Sequence, residues 1–293
     1  MAATKVVLAG ASGNLGPAVL KELLDAGLEV TIFTRQNSNK TFDSRAKVAA
    51  VNYDSVDALK AALSGQEVVV DTLAPLDLGL HLRLIDASVA AGVTRFIPSE
   101  FGADTTNALA AKLPVYGNKV AVQEHLKRVS AESDLSYTLV LTGAFLEFGL
   151  QTGFLVNLAG PAELYDGGEG QVSISSLPGI GQAVVGVVRN LDKTRNETVY
   201  VSQVNASQKE LLGWSGKRVE TKVVRTEDLE RLSYEEIKKP QPDLMVFAVG
   251  LLRRAIFGEG YGGLFDSEKL SNELLGVRSF TEEEVREIVR KFS

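Results

Sequence analysis

The amino-acid sequence predicts an α/β protein built on a doubly wound parallel β-sheet, with a smaller region towards the C-terminus. Over roughly the first half of the chain, short apolar runs alternate with amphipathic helical patterns. The runs are apolar at successive positions, as in strands that are buried on both faces. Strands separated by helices in this way pair in parallel through right-handed crossovers.

The first half contains the patterns of six strands and four helices. The strands are predicted at 5–10, 29–35, 46–51, 67–74, 94–99 and 136–147, and the helices at 16–27, 55–63, 78–92 and 116–133. In the first helix, apolar side chains from Val19 to Leu24 share one stripe, and Gly27 is a typical C-cap. Ser55 and Asp57 suit the N-terminus of the second helix, and Gly92 closes the third.

The alternation loosens beyond residue 150. Residues 171–190 and 197–202 have the patterns of a helix and a strand that could complete the sheet. Helix, strand and helix follow within 208–232, a loop rich in glycine and aromatic residues is predicted at 257–266, and Thr281 opens a last helix. We expect a main sheet domain at 1–150, with residues of about 171–203 completing its sheet. The remainder of 151–293 is expected to form a smaller region that packs back onto the sheet.

Composition argues against several classes of function. The 293 residues carry a net charge of −6, which disfavours a surface that neutralises nucleic-acid phosphates. The lack of cysteine removes thiol catalysis and thiolate metal sites, and His81 and His125 are too few for a histidine-rich metal site. The chain begins with a glycine-rich strand exit and has no long apolar segment, so we expect a cytoplasmic protein with no metal and no membrane anchor.

A glycine-rich turn, GASGNLG, joins the first strand to the first helix. Gly10 permits a tight turn, Gly13 lets the backbone approach a pyrophosphate, and Gly16 lets helix and strand pack closely. The free N–H groups of the helix N-terminus would meet the negative charge. The alternative is a turn of this kind without a ligand. The pattern favours a Rossmann-type dinucleotide site, with contacts from Gly10, Ser12, Gly13, Asn14, Leu15 and Gly16.

The end of the second strand indicates which dinucleotide binds. An NAD site usually carries an acidic residue there for the ribose 2′-OH, but this strand ends in Thr34 and Arg35, with Lys40 nearby and no acid before Asp43. A guanidinium pairs with a 2′-phosphate, which a carboxylate would repel. We therefore expect NADP(H), the alternative being a solvated surface arginine. Asp54, after the third strand, suits an adenine edge or a helix cap.

The carboxyl ends of the fourth and fifth strands would face the same cleft, where ligands bind in open α/β sheets. Leu73 and Ala74 follow the fourth strand, and PSEFG, residues 98–102, follows the fifth. Ser99 could bond a nicotinamide ribose or substrate, and Phe101 could stack near the nicotinamide. We expect Glu100 to cap N–H groups or meet a basic partner rather than to act chemically.

Lys119 lies near the start of the helix that precedes the sixth strand, so it also faces this edge. Partial burial beside a cationic helix end would lower its pKa and favour proton transfer near neutral pH. The alternative is a solvated helix lysine.

The segments GASGNLG, RFIPSEFG and YGNKVAVQEHL, in this order and spacing, resemble the isoflavone reductase-like branch of the NmrA-type atypical short-chain dehydrogenases. That branch includes phenylcoumaran benzylic ether reductases and pinoresinol–lariciresinol reductases. The resemblance is strong over about the first 150 residues. It implies hydride transfer from NADPH, with Lys119 as general acid/base, Arg35 as the NADP-selecting arginine and Phe101 facing the nicotinamide.

Two departures affect the site. The usual Tyr-x-x-x-Lys pair is absent, since Val115 stands four residues before Lys119; Tyr116, three residues before, could still project beside it. The segment 142–154 matches no particular enzyme. Phe145, Phe148, Phe154 and the 257–266 loop could line a pocket for an aromatic substrate, or pack in the core.

The resulting expectation is an NADPH-dependent reductase of a small aromatic or conjugated carbonyl or ether compound, acting as a monomer or homodimer. A non-catalytic NADP sensor that binds a protein partner, as in NmrA-like regulators, is one alternative. An isomerase or cyclase that retains the cofactor is another. Lys119 favours the enzyme, because a sensor has no use for a proton donor at that position.

Overall fold

The computed structural model describes residues 5–293. Residues 1–4, on which the expectation about the start of the chain partly rests, lie outside the described residues. The strands of the described chain are β1 (Lys5–Ala9), β2 (Glu29–Arg35), β3 (Lys47–Val51), β4 (Val68–Asp71), β5 (Arg95–Ile97), β6 (Ser136–Leu141), β7 (Ala144–Phe145), β8 (Ala162–Tyr165), β9 (Val172–Ser175), β10 (Glu197–Tyr200), β11 (Val204–Ala206) and β12 (Thr221–Val224).

The helices alternate with these strands and then dominate the C-terminal part. They are α1 (Gly16–Asp25), α2 (Val56–Ala62), α3 (Leu78–Ala91), α4 (Gly117–Glu132), α5 (Leu146–Gln151), α6 (Leu177–Arg189), α7 (Gln208–Ser215), α8 (Thr226–Glu236), α9 (Leu244–Phe257), α10 (Asn272–Leu275) and α11 (Glu282–Lys291). No helix within residues 5–293 has both the length and the apolar character needed to span a bilayer.

The main sheet has seven strands in the order β10-β6-β5-β4-β1-β2-β3, and every neighbouring pair is parallel. Apolar side chains of α1 and α6 form one core with one face of the sheet. Those of α2, α3 and α4 form a second core with the other face. The predicted doubly wound parallel sheet is confirmed, and its order reverses between β1 and β4, where a cleft opens at the carboxyl edge.

The last strand of this sheet comes from the second half of the chain, as expected for 197–202. A buried arginine forms hydrogen bonds to the segment that precedes this last strand. Arg95 on β5 is 1% exposed, and its guanidinium bonds Ser136 Oγ at 2.8 Å, Thr138 Oγ1 at 2.7 Å and the Leu191 carbonyl at 2.6 Å. It also bonds Thr194 Oγ1 at 2.8 Å, just before β10. One cation therefore ties β5 and β6 to the segment that leads into the final strand.

Three predicted strands exceed the observed ones by more than one residue. The strand predicted at 94–99 is β5, which ends at Ile97 before Pro98. The strand predicted at 67–74 ends at Asp71, because the Asp71 carboxylate accepts the Leu73 N–H at 2.9 Å and turns the chain. The strand predicted at 136–147 ends at Leu141. Gly143 then adopts a φ of 64°, and a Cβ there would lie 2.0 Å from the Ser173 carbonyl oxygen, so β7 leaves the main sheet to pair with β9.

The C-terminal part contains two small sheets, β11-β9-β7 and β12-β8, and a core of its own with α7, α9 and α11. The segment predicted as a helix at 171–190 is β9 followed by α6, while the helix, strand and helix within 208–232 are α7, β12 and α8. Helix α9 was not predicted. Thr281 caps α11 in a capping box with Glu284. The division of the chain near residue 150 stays a prediction.

Candidate active site

The glycine turn between β1 and α1 has little room for side chains. Gly10 has a φ of 90°, and a Cβ there would lie 2.7 Å from the Thr72 carbonyl carbon. A Cβ on Gly16 would lie 2.2 Å from the Gly10 carbonyl oxygen, so only glycine lets α1 start this close to the turn. Leu15, the N-cap, gives α1 no side-chain cap, and the first turn carries no acid. The helix N-terminus is thus suited to an anion.

A cleft of about 830 Å³ lies along the carboxyl edge beside this turn. Seven residues assigned to cofactor contact from the sequence line it together: Gly10, Ser12, Arg35, Lys40, Asp54, Leu73 and Ala74. Gly13 and Asn14 are exposed on the same turn, whereas the Leu15 side chain is 6% exposed and belongs to the core. Leu15 can therefore offer only its backbone to a ligand.

Arg35 is exposed at the end of β2, at the wall of this cleft. Asp54 lies on the same wall and is bonded by Arg83 Nη2 at 3.0 Å, while Arg83 Nε bonds the Tyr53 carbonyl at 2.8 Å. Ser55, not Asp54, caps α2, since its hydroxyl accepts the Ala58 N–H at 3.2 Å. Asp54 is thus free of the capping role and is paired with Arg83 at the wall of the cleft.

The PSEFG turn points into the protein. The Glu100 side chain is 1% exposed, and its carboxylate accepts hydrogen bonds from Thr105 Oγ1 at 2.7 Å and Gln123 Nε2 at 2.9 Å. Gln123 Nε2 also donates to Thr105 Oγ1 at 2.8 Å, so the three side chains form a closed set. Ser99 Oγ donates to the Leu73 carbonyl at 2.7 Å. The turn thereby joins the exit of β5 to the exit of β4.

Lys119, in the first turn of α4, donates a hydrogen bond from Nζ to the Glu100 main-chain carbonyl. Burial lowers the pKa of Lys119, and the Glu100 charge opposes this only in part. A Cβ added to Gly102 would lie 4.0 Å from Nζ, so the glycine leaves space beside the amine. The amine is held in place and its proton is easier to release than that of a solvated lysine.

Tyr116 lies beside this lysine but is deeply buried. Its ring centroid is 5.9 Å from Lys119 Nζ, and the residue is 3% exposed. Burial, with a smaller contribution from the Glu100 charge, raises the pKa of the Tyr116 phenol well above its usual range. The phenol therefore stays protonated at neutral pH.

Phe101, expected to face the nicotinamide, is 7% exposed and packs in the core on the α1 side of the sheet. The aromatic candidates for a substrate pocket are dispersed, and Phe145 packs against the same core as Phe101. Phe154 lies in the C-terminal core, its ring centroid 6.3 Å from that of Phe257. The 257–266 loop packs against β9, since Phe265 N–H bonds Ser173 Oγ at 2.9 Å. Phe148, 37% exposed, is the most accessible of the three phenylalanines Phe145, Phe148 and Phe154.

Sequence reasoning missed one buried pair. Asp71, the last residue of β4, is 1% exposed, and its Oδ2 lies 2.6 Å from Nδ1 of His81, which is 3% exposed. An acid in an otherwise apolar buried strand is a signal in itself, because buried carboxylates need partners. Within residues 5–293, no group of three or more metal-ligating side chains is close enough to hold an ion.

Comparisons with known proteins show which family the chain resembles. A model of the NmrA-like family matches residues 2–246. The sequence is 33% identical over 284 residues to "Oxidoreductase aprR" of Aspergillus flavus, which covers 93% of this chain and 94% of the relative. It is 25% identical over 214 residues to phenylcoumaran benzylic ether reductase PT1 of Pinus taeda, which covers 68% of both. A solved structure of AtPrR2 with NADP+ and (+)pinoresinol superposes with a TM-score of 0.80 at 19% identity, over 99% of both chains.

Proposed function

Because the chain belongs to the NmrA-like family, as the sequence resemblance predicted, we propose that it is an NADPH-dependent reductase of a small aromatic or conjugated carbonyl or ether compound. The observation that carries the proposal is Lys119, whose amine is held by the Glu100 carbonyl. Burying part of a lysine amine costs free energy, and lysines perturbed in this way concentrate at functional sites.

The residues of the long cleft fit NADP(H). The crowded glycines bring the backbone close to where a pyrophosphate would lie, and the uncapped N-terminus of α1 favours its charge. Arg35 and Lys40 would bind the 2′-phosphate. The relatives support this choice, since AtPrR2 was solved with NADP+. The bound nicotinamide would supply the hydride.

The chain itself would supply the proton. When an electrophilic carbon of the substrate accepts a hydride, the electron pair of its bond to oxygen moves onto that oxygen. Lys119 can protonate the oxygen as its own N–H bond breaks, and the lysine is left neutral. The Glu100 carbonyl fixes the direction of the amine, and Gly102 leaves space beside it.

The relatives indicate the class of substrate. The AtPrR2 complex contains (+)pinoresinol, and the Pinus taeda relative is a phenylcoumaran benzylic ether reductase. A neutral aromatic ether or a conjugated carbonyl compound is consistent with both names.

The test is a screen of such compounds with NADPH, following the loss of NADPH absorbance, on the wild type and Lys119→Met. We expect a substrate that the wild type reduces and Lys119→Met does not, with NADPH affinity unchanged. Lys127→Met is the matched control, since Lys127 is exposed on the same helix. Turnover that survives in Lys119→Met would remove the lysine from the chemistry. Tight NADPH binding without any turnover would favour the sensor alternative.

A further inference from the structure

We propose that the buried His81–Asp71 pair is the positioning device of the cofactor cleft: a doubly protonated imidazolium that fixes the loop after β4. This inference rests on the proposed NADPH site. The loop, residues 72–76, is called the wall segment below. It separates the dinucleotide cleft, which Leu73 and Ala74 line, from a small cavity that Pro75 and Lys119 share.

The imidazole of His81 lies between two acceptors. Nδ1 is 2.6 Å from Asp71 Oδ2, and Nε2 is 3.2 Å from the Ala74 carbonyl oxygen. A carboxylate and a carbonyl only accept hydrogen bonds, so both contacts are satisfied only when both ring nitrogens carry protons. The other Asp71 oxygen accepts the Leu73 N–H at 2.9 Å. The pair therefore forms hydrogen bonds to two consecutive residues of the wall segment, Leu73 and Ala74.

Side chains of other elements bind two further carbonyls of the wall segment. Ser99 Oγ donates to the Leu73 carbonyl at 2.7 Å, and Asn118 Nδ2 donates to the Pro75 carbonyl at 3.0 Å. Thr72 Oγ1 donates to the Ala9 carbonyl at 2.8 Å, next to the glycine turn. Side chains from β4, α3, the β5 exit and α4 thus hold one short loop. Such convergence is expected where a ligand wall must keep one shape.

The charges around His81 favour the imidazolium. Asp71 on β4 and Asp77 at the start of α3 are negative, while Glu100 and Lys119 face it across the small cavity, and Tyr53 lies near Asp71. Burial by itself would lower the pKa of His81. The hydrogen bond and charge of Asp71, with the Ala74 carbonyl and the Asp77 charge, outweigh burial and raise it. Because the pKa of His81 is raised in the folded state, its imidazolium stabilises the folded protein. This stabilisation is complete below the ordinary imidazole pKa and is lost as the pH rises through the raised pKa.

Loss of that proton removes one of the two donors. We expect Nδ1 to keep its proton for Asp71, so the bond to Ala74 is the one that breaks. The wall segment then loosens beside the cleft that Leu73 and Ala74 line, and NADPH binds more weakly above the raised pKa. A role in folding alone would not couple cofactor affinity to this titration.

The test compares His81→Gln with His125→Gln, its matched control, because His125 is the other histidine and pairs with Asp86 at the surface. NADPH dissociation constants are measured by fluorescence across neutral and alkaline pH. We expect the wild type and His125→Gln to lose affinity together as pH rises. His81→Gln should bind about tenfold more weakly at neutral pH, as for the loss of one charged hydrogen bond, and should lack the pH step. Equal affinities, or the same pH step in His81→Gln, would overturn the proposal.

A second measurement does not depend on the cofactor. Imidazole signals in NMR spectra of histidine-labelled protein are assigned through His125→Gln, and His81 should titrate above the ordinary imidazole range. Hydrogen exchange in peptides that cover the wall segment should be faster in His81→Gln than in the control. A wild type that binds no NADPH would defeat the proposed function, whereas a His81 that titrates at or below the ordinary range would defeat this inference.

Discussion

The amine of Lys119 and the main-chain carbonyl of Glu100 are joined by a hydrogen bond across 19 positions of sequence. The same Glu100 offers its side chain to Thr105 and Gln123, in a fully buried setting. A single residue of the PSEFG turn thus connects the interior of the protein to the proposed proton donor. The orientation of that donor depends on the backbone of the turn rather than on a charged partner.

The pH dependence of turnover follows from the state of Lys119. Its pKa is lowered by burial, and a general acid must carry its proton. We expect kcat/KM to fall as pH rises through this lowered pKa, on the neutral side of the ordinary lysine value. The measurement is a pH–rate profile with a substrate from the screen. A rate that rises over the same range would make Lys119 a base and not an acid.

Arg35→Ala should weaken NADPH binding by about 1.5–3 kcal/mol, roughly tenfold to a hundredfold, because a charge-assisted contact to the 2′-phosphate is lost. NADH binding should change little. Parallel titrations of both nucleotides, with Arg290→Ala on the exposed face of α11 as control, give the comparison. Equal losses for the two nucleotides would show that Arg35 does not select the phosphate.

Gly16→Ala should destabilise the protein and abolish nucleotide binding, since its Cβ would lie 2.2 Å from the Gly10 carbonyl oxygen. We expect a loss of about 1–3 kcal/mol in the free energy of unfolding, as for overpacked cores. Gly213→Ala is the matched control. Nothing lies within 4 Å of a Cβ there, and alanine is the better residue inside α7, so the control should gain about 0.5–1 kcal/mol. Urea unfolding measures both, and a stable Gly16→Ala would contradict the packing argument.

Arg95→Met should cost about 3 kcal/mol of stability or more, because it leaves the buried hydroxyls of Ser136 and Thr138 and the Leu191 carbonyl without their donor. Burial lowers the pKa of Arg95 to about 10, so the residue is still protonated at neutral pH. Chemical denaturation with Arg290→Met as control gives the difference. A change below about 1 kcal/mol would mean that water replaces these bonds.

The parts of the fold that could be predicted are those set by local patterns. β2 was predicted with its observed bounds, since its alternating apolar residues lie between the turn at Gly27 and a run of polar residues. Helix α9 could have been found, because Asp243 precedes a long apolar run and accepts the N–H groups of Met245 and Val246. The glycine turn needed only its own spacing and the strand before it.

Contacts set by the tertiary fold could not be predicted. The place where β7 leaves the sheet depends on Gly143 meeting Ser173, thirty residues later in the chain. The His81–Asp71 pair depends on how α3 rotates against β4, which no local pattern specifies. The closed set of Glu100, Thr105 and Gln123 depends on the packing of α4 over the β5 exit.

The position of Arg95 also bears on how the chain folds during synthesis. Two of its partners, Leu191 and Thr194, lie 96 and 99 positions further along the chain. Until the ribosome has made them, β6 is an edge strand and the guanidinium has only its partners on β6. We expect the nascent chain to pass through an interval in which the unpaired edge of β6 can pair with a strand of another chain. Chaperone binding during this interval would prevent such pairing. The interval ends when β10 arrives.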